Sequence, residues 1–517
     1  MMNTSMLISS GTPSHCCPKR SDCRHLAATP CTLSTLLADT RRKTTTKTER
    51  SGVSCKDFLA VALIILLLVS DAADGSKTDD VLNVVWLAPA ETVDDGVRAM
   101  FNASTSVGGL ALAIDRVRNE QLLGGMRINV TWLDSECYAK TALGEVASVV
   151  RDLNNLPDVI FGPPCTTSMQ PVADLASYFN IPVFGWMSSD HKLDNKSRAS
   201  TLVRVMAPLS DLGNLLIYIC GQLGWNRVAI ISTTGPITTA VSDFFKELLV
   251  DDSDFYLVRH FAGVNRTATD AKIRRMLTLI AEEARIVFLV MPESEVRRYL
   301  LVGHDLGMAG GDYQFMYVQP YISDDDEVDY MRSREIWRGD DGRDEDARQI
   351  YRSLLIITYA YIVRWSIDYD EAENVTNRMF EGYRNDMPEF REPDRYSRFL
   401  HDAFYLYALA YNHTMANNQT PSGDTIFKAV SVLRFYGDVH LNNNGDRLPA
   451  FLMWDMGLDW RFQIVTAIKY DVHPNGTTFI NYTERADIYW GNGESRDGGY
   501  IPPDIPPCGF NNEKCPE

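Results

Sequence analysis

From Val81 the chain alternates two patterns. Short, nearly continuous apolar runs are followed by longer stretches whose apolar residues recur every three or four positions. The first pattern suits a strand covered on both faces, the second a helix with one buried face. VLNVVWLAP is the first strand. VGGLALAIDRVRNEQLLGG follows as a helix, with Leu110, Ile114 and Val117 on one face and Gly124–Gly125 ending it. MRINVTWLD, DVIFGPPC and IPVFGW read as further strands, with KTALGEVASVVRDLNNL and MQPVADLASYFN as the helices between them. Strict alternation predicts a parallel sheet flanked by helices.

The cycle restarts near Pro208. Helix Asp211–Leu223, strand NRVAIIS, helix AVSDFFKELLV, strand FYLVRHF, helix DAKIRRMLTLIAEEA, strand RIVFLVMP, helix SEVRRYLLVGHDLG and strand YQFMYV predict a second lobe of similar build. The acidic stretch SDDDEVDYMRSREIWRGDDGRDEDAR reads as a solvated loop or as an electrostatic lure for a basic peptide. Two long helices are expected next, QIYRSLLIITYAYIVRW and YSRFLHDAFYLYALAYNHT, both returning to the first lobe. Their Tyr361, Tyr405 and Tyr407 suit a cationic peptide, a dimer contact or plain core. FYGDVHLNNNGDRLPAFLMWDMGLDWRFQIVTAIKY reads as strands and a hairpin. The fold class is α/β with two lobes, each a parallel sheet flanked by helices. Lobe 1 is expected over 80–205 and 345–433, and lobe 2 over 206–344 and 434–490. A proline-rich stalk, 500–517, offers nothing to pack as a core.

The first 55 residues differ. They are rich in Ser, Thr, Lys and Arg, hold five of the ten cysteines and show no hydrophobic period, which predicts disorder. The apolar run Phe58–Val69 has Lys56 before it and Ser70 and Ala72 after it. It is shorter than the roughly 20 residues a bilayer span needs, and it suits the core of a signal peptide. That reading covers 56–73, with cleavage near Ala72 or Ala73; a retained signal anchor is the alternative. Asn-x-Ser/Thr triplets at Asn102, Asn129, Asn195, Asn265, Asn374, Asn412, Asn418, Asn475 and Asn481 fit a glycosylated extracellular or cell-surface protein. In an oxidising compartment cysteines pair. Cys508 and Cys515 are close enough for a small loop. Cys137 and Cys165 each follow a strand and meet at one sheet edge. Cys220, in the apolar helix LGNLLIYICGQLGW, is left as a buried thiol or an intermolecular bridge. The net charge of −18 argues against nucleic acid and would steer a cationic ligand inward.

Catalytic signatures are missing: P-loop, GxSxG elbow, HExxH and paired CxxC are all absent from the sequence. His304 and His401 lie on expected helices and suit structural roles. HLNNNGDRLPAF lacks carboxylates at both ends of a calcium loop and reads as an Asn/Gly turn. Two strand ends carry candidate ligand chemistry, because orphan helix N–H groups gather there. FGPPC, 161–165, suits a small anion or a rigid turn that aims Cys165 at Cys137. GWMSSD, 185–190, offers Ser188 and Ser189 to a polar ligand between the lobes, or to ordinary turn and cap bonds.

Three stretches carry a family resemblance. IWRGDDGRDEDARQIYRSLLIITY, GDVHLNNNGDRLPAFLMWDM and PPDIPPCGFNNEKC, in this order, resemble the extracellular hormone-binding region of the natriuretic peptide receptors and related receptor guanylate cyclases. The resemblance covers the chain from about Val81 to its end. It implies a periplasmic-binding-protein type I fold and a homodimer that binds a peptide hormone and passes the change to the membrane. It also implies that the cysteine-clasped stalk leads into a membrane span. No apolar run of span length follows Cys515 before Glu517, so the expectation is a receptor ectodomain lacking its span and cyclase, or a soluble decoy. Any guanylate cyclase would lie beyond this chain, which is not itself expected to be an enzyme. In the family a chloride is held by a serine and backbone N–H groups of a Gly-Pro-Gly-Cys turn. Ser135 and Cys165 match, but Pro164 replaces the second glycine and has no N–H, so no cofactor is expected. A second family disulfide has no counterpart in VFLVMPES. Of the aromatic hormone contacts, Phe261 in RHFAG falls in place. FGWMSSDHKLDNKS is also similar to the ligand cleft of metabotropic glutamate receptors, which keeps a small amino-acid-like ligand as the alternative.

Overall fold

A computed structural model describes residues 81–90, 102–319, 335–360, 368–380, 388–394, 396–435, 439–473, 477–511 and 513–515. All belong to the unit that holds Val81–Glu517. The expected disordered segment, the signal peptide, Tyr361, the sequon at Asn475 and residues 323–334 of the acidic stretch lie outside the described residues.

The first sheet has five parallel strands in the order β2-β1-β3-β4-β5. They are β1 Val81–Ala88, β2 Arg127–Asp134, β3 Val159–Phe161, β4 Val183–Gly185 and β5 Leu202–Arg204. Helices α1 Ala103–Asn119, α2 Ala139–Val149 and α3 Thr166–Tyr178 connect the first four strands. Leu110, Ile114 and Val117 are buried, as the period requires. α1 packs so closely on a later helix that a Cβ on Gly109 would lie 2.2 Å from the Ser397 carbonyl oxygen.

The second lobe opens with α4 Leu209–Leu223, then β6 Arg227–Thr233, α5 Pro236–Asp251, β7 Tyr256–Val264, α6 Asp270–Ala281, β8 Ile286–Val290, α7 Glu293–Asp305 and β9 Gln314–Val318. α8 Asp344–Tyr351 and β10 Leu354–Tyr359 follow. The chain then returns to the first lobe as α9 Tyr369–Phe380, α10 Ser397–Ala416 and α11 Gly423–Val430. After a small ribbon, β11 Arg434–Phe435 and β12 Val439–His440, it crosses again into β13 Ala450–Met456, β14 Phe462–Val472 and β15 Thr478–Glu484. The second sheet runs β15-β14-β13-β10-β9-β8-β6-β7, with β13 and its successors antiparallel.

Two expectations are corrected here. QIYRSLLIITYAYIVRW is not one long helix. α8 ends at Tyr351 and LLIITY is a strand between β9 and β13, buried along its whole length. Two β-branched isoleucines and a threonine covered on both faces favour strand over helix. The return to the first lobe therefore falls after Tyr359 rather than at 345, because β10 pairs with β9 and α8 packs on α7. Tyr405 and Tyr407 are core residues, not a docking surface.

The stalk does pack. Trp225 Nε1 donates to the Pro502 carbonyl at 2.8 Å. The Asp504 carboxylate accepts from the Asn226 and Arg227 backbone N–H groups, each at 2.8 Å. Phe510 lies beneath the Arg227 and Arg285 guanidinium groups, and Cys508–Cys515 closes the segment. Prolines free of helix and sheet leave carbonyls exposed to outside donors, and Trp225 supplies one. Cys220 is buried and free.

Three crossings join the lobes, and a buried charge knot ties them. Arg204, 0% exposed, ends β5 and donates Nε to Asp446 at 2.7 Å and Nη2 to Asp194 at 2.6 Å. Lys196 Nζ reaches the same Asp446 oxygen at 2.8 Å. Gly445 and Asp446 belong to the Asn442–Arg447 turn of the third crossing, where Gly445 takes φ +68° and Asn442 Oδ1 accepts from Asn444 and Asp446. Backbone bonds Arg204 N to Gly445 O and Arg447 N to Arg204 O close the junction, and Ala360 N to Ala450 O adds the second crossing. Arg447 turns the other way, to Asp402 on α10 at 3.2 Å. Burial alone would raise the Asp446 carboxyl, but the Arg204 and Lys196 charges and hydrogen bonds outweigh it and hold it below the usual carboxylate range.

Asp446→Ala leaves two buried cations without their counter-charge. The expected cost is roughly 3–5 kcal/mol in urea unfolding at neutral pH. Because the folded carboxyl is held low, its contribution is present above the unfolded value of about 3.9 and is lost as pH falls through the folded value. Asp446→Asn should therefore flatten the acid limb of the stability curve; an unchanged limb would contradict the assignment.

Candidate ligand-binding cleft

Residues of both lobes line an open cavity of about 590 Å³. Its first wall is the turn after β3. Gly162, at φ +85°, makes the bend; a Cβ there would lie 2.3 Å from the Leu87 carbonyl oxygen. Ser188 Oγ donates to the Pro163 carbonyl at 2.9 Å and fixes the turn from behind. Cys165 begins α3 and bonds to Cys137, with Cα atoms 5.4 Å apart. Pro164, Cys165, Thr166 and Thr167 thus face the cavity at a helix start, where the first backbone N–H groups lack helical partners.

The second wall follows β4. Met187, Ser189, Asp190 and Lys192 line it, and Asp190 caps the short 3₁₀ turn His191–Leu193 by accepting from Lys192 N at 2.9 Å. Leu209 N bonds the Ser189 carbonyl at 2.7 Å, so the first crossing begins at this wall. The third wall belongs to the second lobe: Gly235, Ile237, Thr239, Ala240 and Asp243 at the start of α5. At its side the lobes touch. The His191 ring lies 4.6 Å from the Phe244 ring, and His191 Nε2 lies 3.6 Å from Glu247 Oε2. Gly213 on α4 leaves room for Phe244, since a Cβ there would come 2.6 Å from its ring. A lining of apolar side chains with a few carboxylates, hydroxyls and one ammonium suits recognition of a ligand.

The residues singled out from sequence do not all meet here. Ser189, Cys165 and Cys137 line the cavity. Ser188 is fully buried beneath it. Ser135 is also buried, and its Oγ accepts from Cys137 N at 3.4 Å. Phe261 lies elsewhere, on edge strand β7, half-buried against the second core. Exposed sequon asparagines are Asn195, Asn265, Asn374, Asn412, Asn418 and Asn481. Asn102 instead caps α1, accepting from Thr105 N, and Asn129 donates to Asn83. His304 bonds Gln349 at 3.2 Å, and His401 stacks on Tyr405. The reading missed the α5 wall. Its signal was present, since STTGPITTA is a strand end running into a helix start, as FGPPC is.

No helix among the described residues is long and apolar enough to cross a membrane. Among the same residues no cluster of three metal-ligating side chains occurs. Residues 108–459 match the model of the receptor family ligand binding region. Receptor-type guanylate cyclase gcy-13 of Caenorhabditis elegans is 23% identical over 434 residues, 80% of this chain and 41% of its own length. Atrial natriuretic peptide receptor 3 of Mus musculus is 24% identical over 381 residues, 68% of this chain and 67% of its own. Atrial natriuretic peptide receptor 2 of Anguilla japonica is 23% identical over 458 residues, 84% of this chain and 40% of its own. The chain spans 41% or less of the length of the first receptor-type guanylate cyclases it matches.

The Cys137–Cys165 bridge holds the first wall. Replacing both cysteines by serine is expected to cost about 3 kcal/mol in denaturant unfolding, the scale for a loop of this size. Hydrogen exchange should rise first at Thr166–Met169; a uniform rise across the lobe would contradict a local role.

Proposed function

The chain belongs to the family of receptor ligand-binding regions, and from that premise we propose that it is the extracellular peptide-binding region of a natriuretic-peptide-type receptor guanylate cyclase. The observation that carries the reading is the cavity walled by both lobes. A ligand that touches both walls has different affinity for open and closed arrangements, so binding shifts their populations. The names of the relatives support a peptide ligand. So does charge: the net −18 draws in a cationic peptide, and Asp190 and Asp243 at the cavity suit a basic side chain inserted from the rim. Two disulfides and the exposed sequons support an extracellular setting. In this reading two copies pair, and lobe movement reaches the docked stalk and the membrane beyond it. The reading needs no cofactor, and Pro164 offers no N–H to a chloride.

The cavity volume favours a second reading, a small amino-acid-like ligand held wholly inside.

Isothermal titration of the secreted full chain separates them. Cationic natriuretic-type peptides are expected to bind with micromolar or tighter affinity that weakens with salt. Ile237→Trp, which fills the cavity, should weaken them about tenfold or more. Micromolar binding of free amino acids by isolated monomers, with no peptide response, would replace the first reading by the second.

A further inference from the structure

At the end of the second sheet where its parallel strands begin, away from the cavity, two arginines share one indole. Arg348 in the last turn of α8 and Arg352 just beyond it are four residues apart, on one face. Their guanidinium carbons lie 5.6 and 4.0 Å from the Trp460 ring centroid, and Arg348 also lies 4.5 Å from that of Trp337. Trp460 sits in the turn between β13 and β14 at φ +67°, a left-handed backbone that bulky side chains rarely adopt.

Among the described residues these arginines have few acceptors. The Nε of each is enclosed and has no hydrogen-bond partner. Arg348 touches Glu345 at 3.4 Å, and among the described residues no ion pair joins Arg352 to an acid. The carboxyl of Asp455, near Arg352, is buried and accepts from Tyr489 N; burial pushes it well above the usual range, so it is a poor counter-ion. The neighbouring arginines differ, since Arg297 is clamped to Asp341 and Asp344, and Arg343 to Asp305 and Asp346. A half-buried guanidinium with unfilled donors seeks an oxygen acceptor, and its planar fork matches an oxyanion.

We infer that Arg348 and Arg352 form an oxyanion site that takes a sulfate or phosphate group, with the Trp460 ring as its wall. The site is independent of the cleft and of the peptide reading. The group arrives either as a free ion or as a substituent on a larger molecule.

The test titrates the full chain with inorganic sulfate and inorganic phosphate at fixed ionic strength, against chloride, and follows thermal unfolding and tryptophan fluorescence. A saturable rise in melting temperature with a matching fluorescence change is expected. Apparent affinity should fall about tenfold in Arg348→Gln and in Arg352→Gln, and stay unchanged in Arg338→Gln, which is exposed and paired with Glu335. Arg352→Lys, which keeps the charge but loses the fork, should fall between. It also serves if the glutamine variant folds poorly by circular dichroism. A parallel arm uses a sulfated oligosaccharide. Tighter binding than inorganic sulfate, lost in the same variants, supports the site and identifies a substituent group; equal binding supports it and identifies the free ion. A rise of equal size in every variant is general salting and overturns the site, as does no response to any of these anions.

Discussion

The Arg204–Asp446 contact is the constraint on which the architecture turns. It joins the end of β5 to the turn before β13, so the first and third crossings share one buried ion pair. A buried pair of this kind is weak as a source of stability, because desolvation offsets most of its attraction. What it fixes is geometry. Only one register of the two crossings brings Asp446 to both Arg204 and Lys196 while Arg447 reaches Asp402. The cavity depends on that register, because Leu209, which follows the Arg204 crossing, bonds the Ser189 wall. A hinge with a fixed register lets the lobes change their spacing without changing what they face.

The molecule separates its tasks along the second sheet. Where the parallel strands end, α5 supplies one wall of the cavity. Where they begin, Trp225, Asn226 and Arg227 hold the stalk. β6 spans both, with every residue after Arg227 buried. β6 therefore links the α5 wall and the stalk through a strand embedded in a packed sheet.

Much of this was legible in sequence because both elementary periods were clean. Apart from β5, the strands of both lobes through β9 and the helices between them fall where the apolar pattern puts them, and Cys137 meets Cys165 because each follows a strand of the same sheet. The failures have physical causes. LLIITY continues the apolar stripe of α8 without a break, so periodicity alone joined a helix to a strand. The stalk looked unable to pack because it has few apolar side chains; it docks through carbonyl and carboxylate acceptors, which composition does not display. Ser188 and Ser189 come from the strand end GWMSSD, and Phe261 from the family resemblance, as separate candidates. Only coordinates separate Ser189, in the cavity, from Phe261, on the outer edge. The GDR turn carried the family resemblance, and its residues lie at the third crossing, bridged to Arg204.

The account's central claim is that ligand sets the spacing of two bodies about this charge-tied hinge. The direct measurement is a spin–spin distance between labels at Tyr178→Cys on the first lobe and Tyr256→Cys on the second, both exposed. The account predicts a narrow distribution that shifts to a new distance when a natriuretic-type peptide saturates the chain. An unmoved distribution at full occupancy would contradict it.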